Sequence, residues 1–259
     1  MFIDTHAHLT DEKFVQDLDA VVARAQAAGV IRILTLGTDV VSSRAAIALA
    51  ERYDPLYAAV GIHPEVVRQA SPDDIEIIRK LAVSPKVVAI GEIGLDYYWD
   101  KESAALQQMF FERQLQLAAE LNLPVSIHDR EAHPQILETL RRARSWGVRG
   151  VLHSFSGDEA MAREVLDLGF SISFAGPVTF LNARQPPLVA RQAPLDRLLL
   201  ETDSPYLSPH PLRGRRNEPA NVTYVAGRIA ELKGLTAQEV AVQTARNAQA
   251  LFGFKVDLL

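Results

Sequence analysis

Short apolar runs alternate along the chain with longer segments of helical period, and this alternation constrains the fold more than any other feature. Each run has four to eight residues. In the intervening segments, apolar residues recur at positions i, i+3, i+4 and i+7, which is the pattern of an amphipathic helix. The runs predict eight strands, which are Phe2–His8, Ile31–Gly37, Leu56–His63, Val87–Glu92, Val125–His128, Gly150–Ser154, Phe170–Phe174 and Arg197–Asp203.

Strands joined by helix-length segments pair in parallel, and eight such units close into a (β/α)8 barrel. The sequence therefore predicts an α/β fold, a TIM barrel, in a single domain over residues 1–259. The seventh unit is the least regular, because the segment GPVTFLNARQPPLVARQAPLD contains four prolines and only a weak helical pattern. Two further helices are predicted after the eighth strand, in PANVTYVAGRIAELKG and TAQEVAVQTARNAQALFGF.

Composition limits the chemistry that such a barrel can carry. The chain has no cysteine, which excludes disulfides, thiolate metal sites and cysteine nucleophiles, so a metal would be held by His, Asp and Glu. The 27 basic and 32 acidic residues give a net charge of −5, which by itself indicates neither a nucleic-acid binder nor a membrane-surface protein. The sequence shows no signal-peptide pattern and no apolar stretch of membrane-spanning length, so a cytoplasmic protein without a membrane partner is expected.

Polar residues fall at the ends of the predicted strands, where a TIM barrel assembles its active site. The first strand ends in Asp4-Thr5-His6-Ala7-His8, and the two-residue period of a strand puts His6 and His8 on one face. Five of the seven histidines lie at strand ends. The other polar strand ends are His63, Glu92, His128, His153 and Asp203.

The joint pattern of these residues carries more weight than any one of them. A lone histidine is more simply interpreted as a hydrogen-bonded core or loop residue. Several imidazole and carboxylate groups at one barrel mouth, however, would be costly to desolvate without a compensating cation. The pattern therefore predicts a metal centre, and Zn, Mn, Mg, Co and Fe all accept such ligands.

Seven sequence blocks carry a family resemblance that extends from residue 2 to about residue 252. The blocks are DTHAHL, GIHP, GEIGLDYYW, HDREA, HSFSG, ETDSPYLSP and RGRRNEPANV. In this order and spacing they closely resemble the TatD family of metal-dependent deoxyribonucleases, within the wider amidohydrolase-like superfamily. The resemblance implies a TIM barrel, a hydrolase with two divalent metal ions, and nuclease activity that is commonly 3′→5′ on single-stranded DNA.

The resemblance also assigns ligands to the two ions. They are His6, His8 and Asp203 for the first ion, His128 and His153 for the second, and Glu92 as the bridge between them. A bridging carboxylate holds two cations about 4 Å apart, the separation used in two-metal phosphoryl hydrolysis. Asp203 is further expected to accept the proton of the attacking water, with ligation alone as the alternative. Asp203 and Glu92 are thus the catalytic candidates.

Substrate contacts are predicted around the same mouth. His63 resembles the family's phosphate-facing histidine, and a structural role is the alternative. Arg130 shares the face of His128 if the strand persists over both residues. Tyr206 and the cluster Tyr97–Trp99 could stack on bases, or could instead pack against the barrel rim.

Two arginines in the loop beyond the eighth strand, Arg213 and Arg216, are predicted to contact phosphates. TIM barrels often bind phosphate in this loop, and the guanidinium fork suits phosphate oxygens. A charged run is more usually only a solvated surface. With two divalent cations, this loop would make the mouth locally positive in spite of the net negative charge.

The predicted function is a metal-dependent phosphodiesterase whose substrate is single-stranded DNA or DNA 3′ ends, with no obligate protein partner. An ester or amide hydrolase, such as a D-aminoacyl-tRNA deacylase, is the alternative, because the basic loop would serve a tRNA backbone equally well. A non-catalytic metal-binding scaffold is a third hypothesis. Its expected signature is a lost ligand, and all six ligands are present.

Overall fold

Among residues 1–255, which a computed structural model of the chain describes, eight parallel strands form one sheet in sequence order. They are β1 (Phe2–Ala7), β2 (Val30–Leu36), β3 (Leu56–Val60), β4 (Val87–Asp96), β5 (Val125–Arg130), β6 (Gly150–Leu152), β7 (Ser171–Phe174) and β8 (Leu198–Leu200). Helices follow the strands, so the predicted TIM barrel is confirmed. The last residues of the predicted domain, 256–259, lie outside the described range.

The helices lie in the segments whose period predicts them. In the described chain they are α1 (Leu18–Ala27), α2 (Val40–Arg52), α3 (Asp74–Leu81), α4 (Ala104–Leu121), α5 (His133–Ala143), α6 (Glu159–Asp167), α7 (Gln185–Gln192), α8 (Val222–Lys233) and α9 (Ala237–Phe252). The irregular seventh unit makes a 3₁₀ turn at Gly176–Thr179 before α7. None of the helices within residues 1–255 has the length and apolarity needed to cross a membrane.

The barrel closes where β8 meets β1, and side chains contribute much of this seam. The buried carboxylate of Asp4 accepts hydrogen bonds from the backbone amide of Thr202 at 2.9 Å and from its hydroxyl at 2.6 Å. The Thr5 hydroxyl donates to the carbonyl of Leu200 at 3.0 Å. The backbone amide of Asp203 donates to the carbonyl of His6 at 2.9 Å. These bonds join the two ends of the barrel sequence beside the site.

Strand β4 runs four residues beyond its predicted end and lies close to β5 there. Gly94 pairs with His128, and Asp96 pairs with Arg130. Gly94 has a φ of +144°, and a Cβ built on it would overlap the carbonyl oxygen of His128. Only glycine fits this close approach, so Gly94 allows β4 to carry Asp96 up to the mouth of the barrel.

We predict that Gly94→Ala destabilises the fold by about 2–4 kcal/mol, because the added methyl group must push the two strands apart and the backbone angle disfavours an L side chain. Gly147→Ala is the matched control. Gly147 also has a positive φ, +74°, but open space lies around its Cβ position, so its substitution should cost only about 1 kcal/mol. Urea unfolding of both variants measures the difference, and equal losses would contradict the close approach.

Candidate metal centre

A cleft of about 720 Å³ opens at the carboxyl ends of the strands and holds most of the predicted site residues. Five of the six predicted ligands line it, and they are His8, Glu92, His128, His153 and Asp203. His6, the sixth ligand, is fully buried directly behind His8. Three predicted substrate contacts, His63, Arg130 and Tyr206, also line the cleft. The structure thus brings nine predicted site residues together.

One side of the cluster is formed by the first strand and the end of the last. The Nε2 atoms of His6 and His8 lie 3.2 Å from each other, and both face Glu92 Oε2, at 3.3 and 3.2 Å. Asp203 Oδ1 lies 3.8 Å from His6 Nε2 and 3.5 Å from His8 Nε2. Four ligand atoms from three different strand ends therefore converge on one small volume.

The other oxygen of Glu92 faces the opposite side of the barrel mouth. Glu92 Oε1 lies 2.9 Å from His128 Nδ1 and 2.8 Å from His153 Nε2, which are 3.3 Å from each other. His63 Nε2 lies 3.3 Å from the same oxygen. The predicted phosphate-facing histidine is thus also within reach of the ligand cluster. The two oxygens of one carboxylate therefore face two separate sets of imidazoles.

The donor set fits a divalent cation on each side of Glu92. Nitrogen and oxygen atoms that bind one tetrahedral Zn²⁺ at about 2 Å lie roughly 3.3 Å from one another. The facing nitrogens of His6 and His8, at 3.2 Å, and of His128 and His153, at 3.3 Å, already have this spacing. Facing imidazole nitrogens need a proton or a cation between them, and a divalent cation satisfies both partners at once.

The pKa shifts of the side chains in this cluster show that its buried carboxylates favour positive charge beside them. Burial alone would raise the pKa of Glu92, but the surrounding imidazoles outweigh it and hold that pKa well below its usual value. Burial would lower the pKa of His8, but hydrogen bonding to Asp203 and Glu92 raises it to about 10. The pKa of His128 rises to about 9 against the effect of burial, through Asp96 and Glu92. Buried carboxylates thus attract protons that a divalent cation would replace.

Two of the predicted ligand imidazoles, those of His128 and His6, have a hydrogen-bond partner behind them. His128 Nε2 donates to Asp96 Oδ2 at 2.9 Å, which turns Nδ1 toward Glu92. His6 Nδ1 lies 3.2 Å from the Ser126 hydroxyl. A carboxylate that hydrogen-bonds the remote nitrogen of a ligand histidine fixes its tautomer and makes it a stronger ligand.

His153 is held less tightly, and its remote nitrogen lies against Glu201. His153 Nδ1 is 3.5 Å from Glu201 Oε1, an ion-pair distance that lacks hydrogen-bond geometry, and has no hydrogen-bond partner within residues 1–255. Glu201 is fixed by bonds from the Ser154 amide and the Ser173 hydroxyl, both at 2.6 Å. Glu201 therefore lies behind His153, with its carboxylate held in place beside Nδ1.

Asp96 is the functional residue that the sequence analysis missed. The available signal was the strand period, because residues 92, 94 and 96 are two positions apart and so lie on the same face of a strand. The predicted strand ends at Glu92, so Asp96 was not assigned to that face. The structure shows β4 continuing to Asp96, whose carboxylate then reaches His128.

The arginines of the loop after β8 are not brought into the cleft. Arg216 donates to both carboxylate oxygens of Asp17 at 2.7 Å and to the carbonyl of Lys13. These hydrogen bonds, together with the charge of Arg216, hold the pKa of Asp17 down at about 2. The guanidinium of Arg213 lies 4.1 Å from the ring centroid of Phe180. Neither arginine lines the cleft, and their predicted phosphate contacts stay predictions.

Comparison with known proteins places this barrel among relatives of the same length. The sequence matches the family described as TatD related DNase over residues 3–253. It is 46% identical over 252 residues to YabD of Bacillus subtilis strain 168, described as an uncharacterized metal-dependent hydrolase, covering 97% of this chain and 99% of YabD. It is 39% identical over 262 residues to the 3′-5′ ssDNA/RNA exonuclease TatD of Klebsiella pneumoniae strain 342, covering 98% of each.

A solved structure agrees with these sequence matches. The crystal structure of YJJV, a TatD homologue from Escherichia coli K12, superimposes with a TM-score of 0.93 at 35% sequence identity, covering 98% of both chains. The likeness extends over the whole barrel.

We predict that divalent cations stabilise the protein through Glu92. Adding Mn²⁺ or Zn²⁺ at about 100 times its dissociation constant to chelator-treated protein should raise the melting temperature by about 5–10 °C. Glu92→Ala should lose this rise, because it removes the carboxylate between the two imidazole sets. Glu65→Ala removes an exposed carboxylate from the same cleft wall and should keep it. A full metal-induced rise in Glu92→Ala would show that the cation binds elsewhere.

Proposed function

This chain belongs to the family of TatD-related DNases and is a metal-dependent hydrolase, and on that premise we propose that it is a 3′→5′ exonuclease acting on single-stranded DNA or DNA 3′ ends. The observation that carries the proposal is the geometry of Glu92, a buried side chain whose two carboxylate oxygens face separate sets of imidazoles. This arrangement supports two divalent ions bridged by one ligand, as phosphodiester hydrolysis uses.

The ligands we assign follow the geometry of the two sides. His6, His8 and Asp203 would hold one ion, and His128 and His153 the other, with Glu92 between them. His63 lies as close to Glu92 Oε1 as the ligand histidines, so it would contact either the second ion or the phosphate drawn to it. When bound, the cations would lower the pKa of a water molecule and offset the negative charge of the phosphate.

We assign proton transfer to Asp203. Its Oδ1 atom faces His6 and His8, while the side chain lines the open cleft and is 14% exposed. A carboxylate in this position accepts a proton from the attacking water through its second oxygen. The neighbouring imidazoles keep the pKa of Asp203 below its usual value in spite of burial, so the side chain is ready as the ionised acceptor.

Substrate contacts are assigned to side chains on the cleft wall. Among the described residues that line the cleft, Arg130 is the one arginine, and no lysine accompanies it. No carboxylate within residues 1–255 lies within ion-pair distance of its guanidinium. A guanidinium without a carboxylate partner is free to bind phosphate. Tyr206, whose ring centroid is 6.2 Å from that of His8, would flank the reacting phosphate. Arg213 and Arg216 would meet phosphates farther along the strand.

The test of this function is a comparison of wild-type protein and Asp203→Asn, both loaded with metal. Wild-type protein should contain two divalent ions per chain and shorten 5′-labelled single-stranded DNA from its 3′ end. Asp203→Asn should retain most of its metal, since an amide oxygen still ligates, yet lose about 100-fold or more in rate because an amide cannot accept the proton. Elemental analysis and a cleavage ladder provide the two readouts.

Three outcomes would change the assignment. Near-normal cleavage by Asp203→Asn would make Asp203 a ligand only. One ion or none in fully active protein would exclude the bridged pair. If the protein hydrolyses D-aminoacyl-tRNA and does not cleave single-stranded DNA, the same centre would be assigned to ester hydrolysis.

We further predict that Arg130, rather than Arg216, dominates the electrostatic contact with DNA. In the Asp203→Asn background, Arg130→Ala should weaken binding of every oligonucleotide sequence about tenfold and flatten the plot of log affinity against log salt by about 0.7. Arg216→Ala should change the slope by less than half as much, because Asp17 already neutralises that guanidinium. Fluorescence anisotropy of labelled DNA measures both, and the reverse ranking would restore the loop after β8 as the phosphate contact.

A further inference from the structure

We propose that Trp99 is a stacking platform for an unpaired nucleobase next to the scissile phosphate, and that it makes the enzyme select single strands. The inference rests on the proposed nuclease function and adds a specificity-determining residue to it. Three observations carry it: the exposure of the aromatic pair at the cleft, the cation beside it, and the bonds that tie it to the metal centre.

Trp99 and its neighbour present aromatic surface to solvent at the site itself. Trp99 is 64% exposed and lines the cleft, and Tyr98 is 56% exposed. The two rings meet edge to face, with centroids 4.9 Å apart and planes at 86°. Two adjacent exposed aromatic rings form a continuous apolar patch, and such a patch at a cleft is typical of a ligand-binding surface.

Arg130 supports the aromatic pair from the cleft side. Its guanidinium lies 4.0 Å from the ring centroid of Tyr98 and 5.4 Å from that of Trp99. A guanidinium at this distance makes a cation–π contact and still offers N–H donors to a phosphate oxygen. A nucleotide unit presents the same two features, an aromatic base and an adjacent anion.

The platform is fixed relative to the metal centre by one carboxylate. Asp96 Oδ1 accepts hydrogen bonds from the backbone amides of Tyr98 and Trp99, both at 2.9 Å. Asp96 Oδ2 accepts from His128 Nε2, also at 2.9 Å. The Gln107 side chain secures this turn by accepting a hydrogen bond from the backbone amide of Asp96 at 2.8 Å and donating one to its carbonyl at 2.9 Å. The backbone that carries the aromatic pair is therefore tied to the same carboxylate that holds His128.

Selection of single strands follows from what a stacking surface requires. An aromatic side chain covers the π-face of a base, and in a duplex neighbouring base pairs cover every face except the outer face of the terminal pair, whose base is also held by its pairing partner. A base at an unpaired 3′ end leaves its face open. Stacking on Trp99 tolerates all four bases, since each has a π-face, so the platform would select strandedness and not sequence.

The chain contains two tryptophans, which makes the proposal directly observable. Trp146 precedes β6 and so lies at the end of the barrel opposite to the cleft, and Trp146→Phe leaves Trp99 as the reporter. This variant, loaded with metal, is titrated with a single-stranded octanucleotide protected by phosphorothioate linkages. A second octanucleotide has abasic residues at its three 3′-terminal positions. The first should quench Trp99 emission, and the second should bind without quenching it.

Kinetics on the otherwise wild-type chain separate stacking from a structural effect. Trp99→Ala should raise KM for unprotected single-stranded DNA about tenfold with little change in kcat, and Trp99→Phe should recover most of the loss. Both variants should match wild-type protein on the DNA with an abasic 3′ end, because that substrate has no base to stack. The preference for single-stranded over duplex DNA should fall in Trp99→Ala by a similar factor.

Each outcome decides a different point. The stacking role is wrong, and the nuclease function stands, in either of two cases. In the first, wild-type protein cleaves single-stranded DNA but the two octanucleotides change Trp99 emission equally. In the second, Trp99→Ala impairs cleavage of single-stranded DNA with and without a 3′-terminal base by the same factor. If metal-loaded wild-type protein neither binds nor cleaves DNA, the proposed function fails and the stacking role fails with it.

Discussion

The structure depends on one buried carboxylate. Glu92 is 3% exposed and lies at the centre of the barrel mouth, where an uncompensated charge would be costly. Five imidazoles face it, and they come from β1, β5, and the segments after β1, β3 and β6. Removing one partner from such a buried cluster costs about 3–5 kcal/mol. The fold and the site are therefore not separable: the eight strands bring these imidazoles together, and the cation they would bind stabilises the strand ends in return.

From this centre the site extends outward through further hydrogen bonds. Asp96 holds His128 with one oxygen and the turn of Trp99 with the other, so one side chain links ligand geometry to substrate contact. Glu201 takes the corresponding place behind His153, and is itself fixed by two donors. Charged groups in a low-dielectric setting need such partners, and each partner also restricts where the next group points.

The sequence was sufficient for the barrel and for placing the polar strand ends at one mouth, because both follow from periodicity, whereas the assignment of metal ligands rests on the family resemblance. Polar residues at the ends of apolar runs placed Glu92 and the histidines at one mouth, and the structure brings them together. Asp96 was missed because the period was not followed past Glu92. Arg216 shows the other limit, since its partner Asp17 is 199 residues away in the chain and no local pattern reveals that the two charges pair. Contacts between distant segments decide which charges remain available.

The seam between β8 and β1 has a consequence for biosynthesis. Its bonded residues Asp4 and Thr202 are 198 positions apart, and His6 and His8 on one side share a ligand cluster with Asp203 on the other. A nascent chain on the ribosome therefore holds five of the six proposed ligands before the last of them, Asp203, emerges. With this proposed ligand set, full coordination would require a closed barrel, so tight retention of metal would mark a completed polypeptide and discriminate against truncated chains.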